Sequence, residues 1–208
     1  MENSGKFVLG VCGGSGSGKT TVTHELSLLG GTVIDCDAIY SELVDSGKKS
    51  DCLADIAAIF GKRAVYRGRL NRKYVGRIAF SDPEKLKALN LVAHKAILAE
   101  AEKRMDEAYR AGKRFFIIDA PLLFESGFDK KCDFTLAVIA DEEKRIARII
   151  ARDGISEEDA RKRVAAQNRD DYLIGRADMV ITNNGTEAEL AGKAREIYHS
   201  VAAPRLEN

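Results

Sequence analysis

Five short runs of β-branched and aromatic residues punctuate the chain: Phe7 to Cys12, Thr32 to Asp35, Phe115 to Asp119, Phe134 to Ile139 and Met179 to Thr182. Each has the length and composition of a strand and is bounded by Gly, Asp or Asn. None alternates cleanly between apolar and polar positions, which is the pattern of strands covered on both faces, and amphipathic helical patterns fill most of the intervals. The pattern predicts a doubly wound α/β fold on a parallel five-stranded sheet.

The second interval breaks the rhythm. Residues 36–113 occupy 78 positions, too many for one crossover helix of a dozen or so residues, so a helical insert is expected there. Leu86, Leu89, Ala93, Ile97, Ala101, Met105 and Ala108 recur at steps of three and four. Ser81 and Asp82 before Pro83 signal a helix start, and Gly112 signals a stop. One long helix, or two with a break near His94, should close the insert. The expected organisation is a core of residues 1–35 and 113–208 with a helical subdomain at 36–112, packed as one compact unit.

Composition narrows the function classes. A chain of 208 residues with 45% hydrophobic content can bury a core without a metal or disulfide staple, and 33 Lys+Arg against 32 Asp+Glu leave a net charge of +1. Nothing in that balance marks a polyanion binder, so any charge argument must be local and no nucleic-acid partner is expected. The cysteines at 12, 36, 52 and 132 form no C-x-x-C pair, which reads as reduced thiols in a cytosol. The apolar runs stop far short of the ~18 residues of a membrane span, and Met1 to Lys6 lacks a signal peptide's basic start. A soluble, cytoplasmic protein with no membrane partner is expected; the sequence specifies no oligomeric state.

Gly13-Gly14-Ser15-Gly16-Ser17-Gly18-Lys19-Thr20 satisfies G-x-x-x-x-G-K-[ST], directly after the first predicted strand and before a helical pattern that starts at Thr21. That context makes it a P-loop rather than a flexible Gly/Ser turn. The glycines let the backbone curl so that successive N–H groups face phosphate oxygens, and the next helix adds the positive end of its dipole. Lys19 would reach the β and γ phosphates, and the Thr20 hydroxyl would ligate Mg²⁺. A nucleoside triphosphate with Mg²⁺ is therefore the first ligand expected. Leu26 to Gly31 reads LSLLGG, not the LSGGQ of transporter ATPases, and no N-K-x-D guanine-reading motif is present. The layout is that of a small-molecule kinase.

Asp35 and Asp37 follow the second strand, at the sheet edge where ligands bind in open α/β folds. A carboxylate there can accept the proton of an attacking hydroxyl or help place Mg²⁺; it can equally cap the next helix. From Gly61 to Phe80 seven basic residues (Lys62, Arg63, Arg67, Arg69, Arg72, Lys73, Arg77) meet no acidic one. The run is either a solvated face or a surface that holds an anionic acceptor. Residues 144–176 hold nine Lys+Arg against six Asp+Glu, with Arg145, Arg148 and Arg152 on neighbouring helix positions. After an Asp153-Gly154 break, Ser156 with Asp159 starts a second helix. The pair is expected to form a closing lid at about 144–170, or else a salt-bridged hairpin. Asn183, Asn184 and Gly185 form a turn after the last strand, placed to read a nucleotide base or simply to turn the chain.

Together these motifs make the chain resemble the dephospho-coenzyme A kinase family. The matching pieces are GGSGSGKTTV, VIDCD, IAFSDPEKLKALNLVAHKAI, IDAPLLFESG, RIARIIARDGISEEDARKRVAAQ and ADMVITNNGT. The phosphate loop is generic; IDAPLLFESG, the R-x-x-x-R-D stretch ending in Gln167, and Ala177-Asp178 with Asn183-Asn184-Gly185 are more specific in combination. The resemblance implies ATP-dependent phosphorylation of the ribose 3′-hydroxyl of dephospho-coenzyme A, giving coenzyme A and ADP. It implies a nucleotide core, a helical coenzyme A domain and a lid. Asp37 takes the general-base position, and Lys19 with Thr20 the phosphate and Mg²⁺ positions, with Gly13 to Gly18 and Thr21 completing the nucleotide loop. Arg148 and Arg152 match lid arginines, the former catalytic, and Asn183 matches the adenine-side loop. Pro121, Leu122, Leu123 and Glu125 match the acceptor wall, which Arg72 and His94 join as substrate-binding candidates. Two positions depart from the family pattern: Ser41 stands where an arginine usually follows the aspartate by four residues, and Lys95 replaces a proline common after His94. The other readings are a different P-loop nucleoside or nucleotide kinase and a nucleotide-binding regulatory protein.

Overall fold

The computed structural model describes residues 5–167 and 170–207. In chain order the elements are β1 (Phe7–Cys12), α1 (Lys19–Leu28), β2 (Thr32–Asp35), α2 (Cys36–Asp45), α3 (Asp51–Phe60), β3 (Val65–Tyr66), β4 (Arg69–Leu70), α4 (Arg72–Ser81) and α5 (Pro83–Arg110). Then come β5 (Phe115–Asp119), β6 (Phe134–Ile139), α6 (Glu142–Asp153), α7 (Glu157–Ala165), α8 (Asp170–Ile174), β7 (Met179–Thr182), α9 (Glu187–Ile197) and α10 (Ala203–Leu206). The five expected strands are all present with the expected bounds. They form one sheet in the order β2-β5-β1-β6-β7, with β1 parallel to β5 and β6, and β6 parallel to β7.

Burial explains why no strand alternates in sequence. All six residues of β1 and all five of β5 are buried. Phe7, Leu9 and Val11 join Phe115, Ile117, Leu136, Val138 and Ile181 in a core closed by Val22 and Leu26 of α1 and Leu190, Ala194 and Ile197 of α9. The intervening positions face the other side, where the side chain of Leu123 lies over Gly10: a Cβ there would come within 2.9 Å of it. Because β1 has β5 on one flank and β6 on the other, the sheet reverses its winding at the C-terminal end of β1, where open α/β sheets hold their ligands.

The chain divides into two compact units, residues 1–34 with 108–208, and residues 35–107. The second has its own core of Val44, Cys52, Leu53, Ile56, Phe60, Val75 and Ala79, onto which Leu86, Leu89 and Val92 of α5 pack. Its helices start as local chemistry dictates, with Asp35, Ser50 and Asn71 as side-chain caps of α2, α3 and α4. The β3–β4 hairpin, too short for a periodic signal, turns through Arg67 and Gly68, both at positive φ. α5 is one helix of 28 residues. Lys95, unlike a proline, keeps the backbone N–H that an unbroken helix needs, so no break occurs near His94.

Candidate active site

The phosphate loop leaves β1 at Cys12 and ends where Lys19 begins α1. Gly16 and Gly18 take φ of 76° and 99°, and a Cβ on either would strike a neighbour, the main-chain carbonyl of Arg145 at 2.6 Å for Gly16 and the Asn183 amide for Gly18. Only glycine fits both the dihedral and the space. Thr21 and Val22 N–H donate to Gly18 O, which leaves Lys19 and Thr20 as the first-turn amides without an intrahelical acceptor. Such amides at a helix N-terminus make an anion site.

Five side chains grip the loop from the sheet's far flank. The three arginines expected on one face of α6 are all turned to it. Arg145, only 5% exposed, donates Nε–H to Ser15 O (3.1 Å), and its terminal nitrogens reach Gln167 Oε1 (2.5 Å) and Asp170 (3.5 Å). Arg148 donates to Gly16 O (3.1 Å) and to Asn183 O and Oδ1 (3.2 and 3.4 Å). Arg152 reaches Ser15 Oγ at 3.3 Å and is held by Asp153. Asn183, at the end of β7, donates Nδ2–H to Ser17 O at 2.7 Å in a buried bond, while Gln167 Oε1 accepts from Ser15 N–H at 2.9 Å. Carbonyls of Ser15, Gly16 and Ser17 are thereby fixed outward, which pre-sets the loop's peptide planes. Ser17 Oγ is buried with no hydrogen-bond partner among the described residues.

Lys19 forms an ion pair with Asp119, both largely buried. Asp119 ends β5 and stands in register with Val11 of β1, so strand pairing delivers it to the loop. Thr20 is exposed, and the Thr21 hydroxyl donates to Glu187 at 3.4 Å. Cys12, beside the loop, is not a nucleophile: burial, reinforced by the Glu125 carboxylate and opposed by Lys19, pushes its thiol up to about 12.

The segment after β5 divides by residue. Leu122 is half exposed and Glu125 exposed, whereas Leu123 is fully buried. The Leu123 side chain fills the space over Gly10 and anchors the segment. The Asn183 side chain is spent on Ser17 and Arg148. Asn184 does the same for the next turn, exchanging two hydrogen bonds with Asp141 (3.0 and 2.7 Å). The expected lid contains α6, α7 and residues 168 and 169, which lie outside the described residues. Ile146 and Ile149 of α6 pack on Ala160 and Val164 of α7, and Ser156 caps α7.

Asp37, Arg72 and His94 belong to the second unit. Asp35 accepts from Ala38 N–H at 2.9 Å as the cap of α2, and Asp37 is an exposed residue of its first turn. Arg72 pairs with Asp45 at 2.5 Å and lies over the Tyr40 ring. His94 is half-buried in α5, and burial pushes its imidazole below the usual histidine range. Sequence reading missed Gln167 and Asp119 as functional candidates and left Arg145 in the lid stripe without a role of its own. Each carried a signal: Arg145 opens the arginine stripe, Gln167 ends one of the more specific motifs, and Asp119 is an acidic end to an otherwise apolar strand.

A sequence model of the family described as Dephospho-CoA kinase matches residues 7–189. A dephospho-CoA kinase of Corynebacterium glutamicum is 36% identical over 194 residues, covering 93% of this chain and 96% of the relative. Among solved structures, one from Thermus thermophilus superposes with a TM-score of 0.76 at 32% identity, covering 94% of this chain and 98% of that one. A dephospho-CoA kinase from Campylobacter jejuni gives a TM-score of 0.65 over 93% and 96%; at 24% identity it supports the fold alone.

Proposed function

The chain belongs to the dephospho-CoA kinase family, and from that premise we propose which of its residues carry the reaction. The enzyme transfers the γ-phosphoryl group of ATP to the ribose 3′-hydroxyl of dephospho-coenzyme A, giving coenzyme A and ADP, the last step of coenzyme A synthesis. The observation that carries the assignment is the phosphate loop fixed by buried side chains with Lys19 at the head of α1. Phosphoryl transfer asks little covalent chemistry of a protein; it asks for positioning and charge.

In this reading the amides of the loop and of the first turn of α1 hold the ATP phosphates, and Lys19 offsets the charge that shifts toward the leaving oxygen. Asp119, delivered by β5, pairs with the Lys19 ammonium and fixes its position beside the loop. Asp35 is spent as the α2 cap, so Asp37 is the carboxylate assigned to the acceptor. It orients the 3′-hydroxyl and takes its proton as the bond to phosphorus forms. Arg148 and Arg152 compensate charge at the transferring group while holding the loop. Leu122, Glu125, Pro121, Arg72 and His94 are proposed to line the acceptor's path.

The donor set suits Mg²⁺. Thr20 offers a hydroxyl and Asp119 a carboxylate, both hard oxygens, and the described residues contain no cluster of three His, Cys, Asp or Glu that would form an all-protein cage. Magnesium uses one or two carboxylates and completes its shell with substrate phosphates and water. When bound it would neutralise phosphate charge.

The test is ADP release with ATP and Mg²⁺ across dephospho-coenzyme A, adenosine, uridine, AMP, CMP and shikimate. Turnover restricted to the first is expected. Turnover only with a nucleoside or nucleoside monophosphate would overturn the reading, and binding without turnover on any acceptor would mark a regulatory protein.

A further inference from the structure

We propose that Gln167, through its single amide oxygen, is a positioning residue for phosphoryl transfer, locking the Ser15 peptide of the phosphate loop to the end of α7. The proposal rests on the reading that this loop holds ATP.

The bonds close a ring. Ser15 N–H donates to Gln167 Oε1 at 2.9 Å, Arg145 Nη2 donates to the same oxygen at 2.5 Å, and Arg145 Nε returns to Ser15 O at 3.1 Å. Both polar ends of one residue's backbone are thus held by two side chains that also hold each other. A hydrogen bond from a charged donor is among the stronger kind. Arg145 is 5% exposed, and its third contact is Asp170, 3.5 Å away, so its charge is balanced without help from a ligand. Asp141 and Asp171 are the other carboxylates that act on Asp170, and burial raises its carboxyl above the usual range while Arg145 opposes that. Gly14 completes the fit, because a Cβ there would fall within 2.8 Å of both the guanidinium carbon and Gln167 Oε1.

The ring has a chemical consequence. Ser15 N–H is turned to Gln167 and so is withdrawn from the phosphates, and Ser17 N–H closes the loop's turn onto Gly14 O at 3.1 Å. Gln167 follows α7, whose packing is to α6 through Ile146, Ile149, Ala160 and Val164. The oxygen therefore ties loop shape to the α6–α7 pair, and a relaxed Ser15 peptide would misplace the amides that follow it. Only an acceptor is required at this position. The glutamine NH₂ takes no part in the ring, so a carboxylate oxygen can replace the amide oxygen, whereas a side chain of equal length with no oxygen cannot.

The experiment compares Gln167→Met and Gln167→Glu in the full chain with ATP, Mg²⁺ and dephospho-coenzyme A, reading kcat, the KM for each substrate and the Tm. Gln167→Met is expected to lower kcat/KM for ATP by about 10- to 100-fold, leaving the KM for dephospho-coenzyme A within about twofold. Gln167→Glu is expected to recover most of that loss. Equal Tm values for the two variants would separate positioning from stability. Wild-type kcat/KM in Gln167→Met, or equal losses in both variants, would overturn the proposal. A parent enzyme that does not turn over dephospho-coenzyme A would overturn the functional reading instead, and the parent assay distinguishes the two failures.

Discussion

The arginines of α6 and the basic residues of 62–77 carry the same charge in different settings. Arg145 and Arg148 are drawn onto main-chain carbonyls of the phosphate loop, with three and three protein contacts respectively. All seven basic residues of the other segment are exposed. Arg67, Arg72 and Arg77 lie over the rings of Tyr66, Tyr40 and Tyr74, 5.2 to 6.0 Å from their centroids. A fixed guanidinium sets geometry, and losing it leaves the loop carbonyls it holds without their partner. A solvated one attracts anions weakly and is screened by salt over about 10 Å. Spacing, not charge density, separates the two groups. Positions 145, 148 and 152 share one helix face, whereas the basic residues of 62–77 are spread over a turn, a hairpin and a helix.

Effects should fall in the order of how directly each group is assigned to the transfer. Asp37→Asn keeps the size of the side chain but removes the basic oxygen, and turnover should fall roughly 10²- to 10⁴-fold with ATP binding retained. Asp35→Asn, which weakens a cap, should do far less. Were Asp35→Asn the more damaging change, the two carboxylates would exchange roles. Lys19→Ala should cost about 10²- to 10³-fold in kcat in a folded protein, and near-normal turnover would remove the phosphate-loop assignment.

Arg148→Ala should cost about 10- to 100-fold and raise the share of ADP released without coenzyme A formation, because a loosened loop and lid admit water. Unchanged coupling and rate would reduce α6 and α7 to a salt-bridged hairpin. The smallest effect belongs to the solvated group. Arg72→Ala should change the KM for dephospho-coenzyme A by no more than about fivefold, and the difference should shrink as salt is raised. An Arg72→Ala loss larger than that of Arg148→Ala, at any salt, would break the contrast between the two regions.

Much of this was legible in the chain. The five strands are dense in β-branched and aromatic residues and bounded by polar punctuation, so their limits follow from composition. The phosphate loop is local, so its glycines and Lys19 identify themselves. The rest depends on contacts distant in sequence. Asp119 meets Lys19 only because β5 pairs with β1, and Gln167 meets Ser15 across 152 positions. Asn183 illustrates the converse. A turn residue after the last strand is well placed to read a base, yet burial against Ser17 takes its amide into the fold. Leu123 is buried for a related reason: Gly10 leaves a gap in the sheet face that an adjacent apolar side chain fills. The single long α5 was open in the sequence and settled by Lys95.

The central claim is that a rigid phosphate loop passes the γ-phosphoryl group of ATP to one hydroxyl of dephospho-coenzyme A. Phosphorus NMR of the products after full conversion tests it most directly. One new phosphomonoester resonance, assigned to the ribose 3′-position and equal in amount to the ADP formed, is the predicted result. Inorganic phosphate in place of that monoester, or phosphorylation elsewhere on the acceptor, would contradict the account.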